Sequence, residues 1–286
     1  MNRRLSDYFG PDAILRDGGF VDLGHADSTM AGTLAYCDSV HYLGLANANP
    51  KVSCLLVTPE LAGATAADKG VAAFPDPRNA FYRLHEELDG LPQREETVIH
   101  PSAIVSPRAK IGRGVVVAER VVIRDDVELG DGSFIDAGAV LGAEGILYRR
   151  EAGGNLHVRH RGTVRIGSHA VVLANAVVVR GIYPGEPTVV GDHAIVGIAA
   201  IVGHEAHLER NCVVSGNCVI ARRARIGEGA WIGTSAMVRE YVCVGARASV
   251  KAGSVVVEDV PADAEVSGNF AVPHRRRLLQ YLKDRK

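Results

Sequence analysis

Long apolar runs are missing from this sequence. No stretch of about 18 consecutive apolar residues occurs among the 286, so no membrane-spanning helix is expected. Charge of one sign is missing as well. Lys and Arg number 32 against 33 Asp and Glu, a formal net charge of −1, which removes the global electrostatic case for nucleic acid or a membrane surface. Aromatics make up only 5% of the chain, so the core is expected to consist of small and β-branched side chains rather than large rings. Paired cysteines are absent too. Cys37, Cys54, Cys212, Cys218 and Cys243 are odd in number, scattered and without CxxC spacing, which reads as reduced cytoplasmic thiols. The N-terminus MNRRLSDYFG starts basic but lacks the apolar core of a signal segment.

What is present is a period of six. From Ile99, aliphatic residues recur at every sixth position: Ile99, Val105, Ile111, Val117, Ile123, Leu129, Ile135 and Leu141. The phase is lost over 142–163 and restarts at Ile166, Val172 and Val178. Pro184 takes one slot, and the comb then runs from Val190 to Val256 without slipping. A comb of 23 aliphatics is beyond chance. A second comb, two residues earlier, carries small or β-branched residues such as Ala103, Val115, Ser133, Ala200, Ala206, Cys212 and Ala224. Two inward positions spaced by two is the period of a strand. Gly often follows the aliphatic, as at Gly112, Gly167, Gly203 and Gly245, where it is expected to permit the turn.

These patterns predict a mainly β fold. Each hexad makes one short strand and one corner, and three hexads close a triangular coil of 18 residues. Coils stack at the inter-strand spacing of about 4.8 Å. Residues 98–260 form this parallel β-helix, interrupted by an excursion at 142–163. Residues 1–97 lack the comb. Val52–Val57 reads as a strand and Ala80–Leu88 as a helix, so a small α/β domain is expected there, ending in the polar linker 89–97. Residues 261–286 form a tail, with a short basic helix after Pro273 that caps the end or docks something acidic, such as a carrier protein or a coenzyme A phosphate.

A comb makes exceptions visible. His204 falls at a corner, two residues after Val202. Steps of 18 place Glu186 and Arg222 one coil away and Glu240 two coils away, with Glu205 adjacent. Imidazole titrates near neutrality, so a corner histidine beside carboxylates is suited to general-base work. Two alternatives stand beside this. Corners collect polar residues for solubility alone, and His204 with His207 could belong to a zinc site, although no third stacked histidine is evident. In the excursion, Arg149, Arg150, Arg159 and Arg161, with His157 and His160, are suited to phosphate contacts.

Four stretches resemble the UDP-3-O-acylglucosamine N-acyltransferases, across nearly the whole length. LAYCDSVHYL followed by SCLLVTPELA is similar to that family's uridine-binding segment, where two aromatics six apart hold the uracil; Tyr36 and Tyr42 match them, and Ser39 stands at a usual Asn. VIHPSAIVSPRAKIG is similar to its entry into the β-helix, and GAEGILY with the excursion to HRGTVRIG to its long loop. AIVGHEAHLERNC is similar to its catalytic segment. The resemblance implies a left-handed winding, His204 as general base oriented by Glu205 or Glu186, and an oxyanion donor at the backbone N–H of Arg222. Tyr241 stands where the family has a second histidine.

It further implies an N-acyltransferase acting on a UDP-linked amino sugar in lipid A or surface-polysaccharide synthesis. The thioester co-substrate would be acyl carrier protein or coenzyme A, with no bound cofactor or metal, in a homotrimer. Residues 197–200 are apolar where the family is polar, and the ending VSGNFAVPHRRR is similar to acetyl-CoA-dependent hexad acetyltransferases. An O-acetyltransferase or other sugar acetyltransferase, a zinc-binding relative and a non-catalytic repeat protein are therefore the competing readings.

Overall fold

The computed structural model describes residues 3–88, 96–268 and 283. The chain divides into two compact units, Met1–Pro92 and Gln93–Lys286. The expected C-terminal helix lies outside the described residues, as does nearly all of the linker.

The first unit is a five-stranded sheet in the order Ile14–Arg16, Gly70–Ala73, Val52–Val57, Thr33–Cys37, Asp22–Leu23. Its pairings are parallel except the first. Strand alternation sends side chains to both faces. Leu55 and Val57 point to one cluster with Leu43 and Ala46 of α1 (Val40–Ala48), while Cys54 and Leu56 point to another with Phe81 and Leu84 of α2 (Pro77–Leu88). A strand buried on both faces needs apolar residues in succession, which is why VSCLLV shows no alternation.

The second unit is the parallel β-helix that the combs predict. Short strands stack into three sheets of nine, eight and seven strands. The first face runs from Val98–Ile99 through Val116–Val117 to Glu265–Val266. The second runs from Ile104–Val105 through Ile201–Val202 to Val255–Val256. The third runs from Lys110–Ile111 through His207–Leu208 to Cys243–Val244. The aliphatic comb and the small-residue comb together fill the interior: Ile123, Ile135, Leu141, Ile220 and Ile226 are buried with Ala170, Ala200, Ala206 and Ala224. Burying each such aliphatic contributes about 1.5–3 kcal/mol, and the small comb keeps the triangular lumen narrow enough to leave no void.

Two findings revise the sequence reading. Of the glycines directly after the aliphatic comb, all but Gly142 lack positive φ. That conformation falls two residues further on, at Gly114, Gly132 and Gly229 and at non-glycines such as Asn175, Asn211, Asn217 and Glu205, with φ of 58–67°. Asn enters this region at low cost because its side chain bonds locally. The comb glycines instead make room for the next coil. A Cβ at Gly167 would stand 2.5 Å from the backbone nitrogen of Asp192 and 2.6 Å from the carbonyl carbon of Gly191. Gly167→Ala is therefore expected to cost about 1–3 kcal/mol as over-packing against backbone, seen as a lower urea midpoint.

The second revision concerns coil length. Val117 pairs with Ile135, 18 residues on, as expected. Val127 pairs with Val164, because the excursion leaves the coil there as an antiparallel hairpin of Tyr148–Glu151 with Gly154–His157. Val178 pairs with Val202, 24 residues on, whereas Val190 pairs with Leu208, 18 on. The hexad holding Pro184 keeps the comb's phase yet makes no strand. It leaves the coil as a second, shorter excursion.

Candidate active site

The two excursions leave the helix near one another, and His204 sits where they do. Residues 203–206 form the corner between the second and third faces. The necks of the excursions are stitched by Arg161 N–H to the Ile182 carbonyl at 2.9 Å and Gly162 N–H to the Gly181 carbonyl at 2.8 Å. Glu205 pins the shorter one from inside. Its Oε1 accepts the Ile182 N–H at 3.0 Å, and its own N–H donates to Thr188 Oγ1 at 2.7 Å.

His204 is 7% exposed and Glu205 6%. Glu205 Oε2 accepts from Arg223 Nε at 2.6 Å, and Arg223 reaches on to Glu186. His204 Nδ1 stands 3.7 Å from Glu205 Oε2, just beyond hydrogen-bond reach, and is buried without a partner. Burial pushes the His204 imidazole below the usual histidine value. Glu205 pulls it up, while His160 and Arg222 push it further down. Burial alone would raise the Glu205 carboxyl, but the Ile182 N–H and Arg223 outweigh that and hold it below the usual carboxylate value. The corner therefore pairs a neutral imidazole with an ionised carboxylate, the protonation pattern a general base requires.

The structure rearranges the expected column. Arg222 lies one coil from His204 in the 18-residue register, since Ile201 and Val202 pair with Val219 and Ile220. On the other side the register changes at the corner itself: counting on from Val178 with Val202 sets Arg180 against His204, while counting back from Val189 with His207 sets Glu186 there. Glu186 belongs to the shorter excursion and joins the cluster only through Arg223. Arg222 lays its guanidinium over the Tyr241 ring at 5.2 Å. Gly203 leaves the Arg222 amide uncrowded, since a Cβ at 203 would stand 2.8 Å from that nitrogen.

His160 is the site residue that the sequence reading misplaced. Its place in the sequence groups it with the arginines of the excursion, as suited to phosphate contacts. Arg149, Arg150, Arg159 and Arg161 are exposed, as is His157, but His160 is only 2% exposed and its ring meets that of His204 edge-to-face, centroids 5.1 Å apart. A signal was present, for His160 falls six residues before Ile166, on the aliphatic comb.

The predicted nucleotide residues lie in the first unit. Tyr36, on the strand Thr33–Cys37, is half-buried against Phe81 and Tyr82 of α2, with ring centroids at 5.2 and 6.0 Å and the Arg78 guanidinium 5.6 Å over its ring. Arg78 is itself held by Asp38 at 2.8 Å. Tyr42, on α1, is exposed and meets His41. Ser39 caps α1, its Oγ accepting the Tyr42 N–H at 3.5 Å. Tyr36 and Tyr42 thus flank one strand-to-helix turn, each packed against different neighbours.

Among the described residues, no group of three or more His, Cys, Asp and Glu side chains is placed to hold a metal ion. All five cysteines are free thiols, and burial pushes Cys37 up to about 11 and Cys212 up to about 12, away from nucleophilic use. No helix among the described residues is long and apolar enough to cross a membrane.

Residues 108–143 match the bacterial transferase hexapeptide family (six repeats). A UDP-3-O-acylglucosamine N-acyltransferase of Paracidovorax citrulli is 26% identical over 174 residues, covering 54% of this chain and 52% of that protein. An acyl-[acyl-carrier-protein]–UDP-N-acetylglucosamine O-acyltransferase of Chlamydia abortus is 30% identical over 106 residues, 33% of this chain and 38% of that one. The solved UDP-N-acetylglucosamine acyltransferase of Campylobacter jejuni is 22% identical with a TM-score of 0.49, covering 66% of this chain and 81% of the other. The match thus spans about half the length of the Paracidovorax protein. The chain carries the hexapeptide repeats of bacterial transferases and is similar to the UDP-3-O-acylglucosamine N-acyltransferases.

Proposed function

We propose that this protein is an N-acyltransferase that moves an acyl group from a thioester, carried by acyl carrier protein or coenzyme A, to the amine of a UDP-linked amino sugar. The observation that carries the reading is the buried corner at His204, where an imidazole stands 3.7 Å from a carboxylate that an arginine holds. The names of the curated relatives support the substrate class.

In this reading His204 removes the proton from the sugar amine as its nitrogen attacks the thioester carbonyl. The C–N bond forms, the C–S bond breaks, and His204 returns its proton to the departing thiolate. Arg223 holds Glu205 ionised, and Glu205 favours the imidazolium that forms. The Arg222 N–H, kept accessible by Gly203, faces the developing oxyanion, where one such donor is worth about 10²–10³-fold. Tyr36 and Tyr42 hold the uracil, with Ser39 fixing the turn between them, and Tyr241 under Arg222 lines the acceptor side.

A homotrimer in the cytoplasm fits the same reading. The outward residues of the second face are aliphatic in succession: Ile104, Ile201, Val219, Met237 and Val255 are all exposed. The third face instead carries Lys110, Glu128, Arg165 and Arg225. Packing the apolar face against another copy would cover that surface and wall in the His204 corner, which borders it.

The test is to incubate the protein with a panel of UDP-amino sugars and acyl-thioesters, following thiol release and product mass. No release with any donor would remove the reading. The pH profile is a sharper check. The base works only when neutral, and burial lowers its pKa, so kcat/KM is expected to fall with acid through a midpoint below 6.5. Glu205→Gln removes the group that raises the imidazole, so its midpoint is expected lower still, with slower turnover because the base is weaker.

A further inference from the structure

Among the described residues, four buried side-chain nitrogens or oxygens lack a hydrogen-bond partner, and three of them crowd one place: His204 Nδ1, His160 Nε2 and Arg180 Nε. Leaving a buried polar atom unmet costs about 1–3 kcal/mol, so such a concentration calls for a reason. The two imidazoles supply one between them. His160 Nδ1 stands 3.1 Å from the carbonyl oxygen of Arg180. A carbonyl only accepts, so Nδ1 carries a proton, and in a ring with that one proton Nε2 is left with a bare lone pair. His204 needs the converse. For its Nε2 to take a proton from substrate, its Nδ1 must carry the hydrogen, and that N–H is the unmet donor. One ring lacks a donor, the other lacks an acceptor, and the rings touch.

Resting on the acyltransfer reading, we propose that His160 is a positioning residue that accepts the Nδ1–H of His204 and so fixes the tautomer exposing His204 Nε2 to substrate. The separation fits. An N–H···N contact of about 2.9 Å, with roughly 1.1 Å from each nitrogen to its ring centre, places hydrogen-bonded imidazoles about 5 Å apart. The observed centroids are 5.1 Å apart. With His160 held by the Arg180 carbonyl, the movement the bond requires is a turn of the His204 ring from the present edge-to-face contact, about a χ2 torsion that is broad for histidine.

Glu205 is the rival acceptor, and it is already engaged. Its Oε1 takes the Ile182 N–H, its Oε2 takes Arg223, and Oε2 remains 3.7 Å from His204 Nδ1. Its role is then to hold the neck of the shorter excursion and to supply negative charge, while His160 supplies direction. The other charged groups about the pair are Arg180 in the coil on one side, Arg222 and Arg223 in the coil on the other, Glu186 beyond Arg223, and Glu144 from the longer excursion. Glu144 Oε2 accepts the backbone N–H of His160 at 2.9 Å. Gly145 leaves space for the ring, since a Cβ there would stand 2.5 Å from His160 Cε1. The longer excursion is thereby tied to the base through one imidazole, so displacing that segment would change the tautomer at His204.

The test is nitrogen NMR on the whole protein with ¹⁵N-labelled histidine, the His204 and His160 signals assigned with H204Q and H160Q. Nδ1–H at His204, with a ¹⁵N–¹⁵N coupling across the bond to His160 Nε2, is expected in the wild type. An Nε2–H tautomer at His204 with no such coupling would overturn the proposal. His160→Phe, which keeps the ring packing, is expected to give mixed His204 tautomers and about 10–100-fold lower kcat with KM unchanged. His160→Gln, whose amide oxygen can accept, is expected to recover most of that loss. A His160→Phe protein with wild-type His204 signals would also overturn it. If no thioester is turned over, the acyltransfer reading falls, while the NMR signals still decide the pairing.

Discussion

His204→Ala is expected to lower turnover by about 10²–10⁴-fold while leaving UDP binding unchanged. The size follows from what the residue does. A general base contributes that much when the attacking amine must lose a proton as the bond to carbon forms, and among the described residues no other base is free at the corner to replace it. His160 is close, but its Nδ1 is committed to the Arg180 carbonyl and its Nε2 is buried. The binding half of the expectation follows from the division of the chain, because Tyr36 and Tyr42 lie in the first unit, with their own packing partners. Single-turnover rates and calorimetric titration with UDP check the two halves separately. Unchanged turnover would remove His204 from the mechanism.

Glu205→Ala is expected to damage both stability and turnover. The carboxylate meets the Ile182 N–H, Arg223 and the dipole of the His204 imidazole at 6% exposure. Removing it leaves a backbone donor unpaired at the neck of the shorter excursion, at about 1–3 kcal/mol. Arg223 adds less than a fully buried partner would, because its side chain is 38% exposed and recovers water. The carboxyl is held below its usual value, so its contribution is full above that value and fades as pH falls through the lowered one. The stability gap between wild type and Glu205→Ala should therefore be constant near neutrality and close in acid. Urea midpoints at pH 7 and below pH 4 measure this. A gap unaffected by acid would mean that the carboxylate's charge is not what stabilises the corner.

The sequence by itself determined the coil. Hexad periodicity is a local property: most strands are two residues, their inward and outward sides are set by alternation, and the next hexad repeats the choice. A comb of aliphatics with a comb of small residues admits one narrow lumen, so the three-sided stack could be read before any contact was known. The position of His204 at a corner followed from the same count, while the strand Val52–Val57 and a helix ending at Leu88 were legible separately, in the part of the chain that lacks the comb. Tertiary structure decided what the count could not. A hexad that keeps phase can still leave the coil, so only the pairing of Val178 with Val202 showed that Arg180 shares the His204 corner with the expected Glu186. Glycines that looked like turn formers proved to be spacers, because their constraint comes from a backbone in the next coil rather than from their own φ. The partnership of His160 with His204 depends on two excursions folding back to one corner. Separation along the chain carries no information about that, since the contact is made by the necks of loops and not by the repeat.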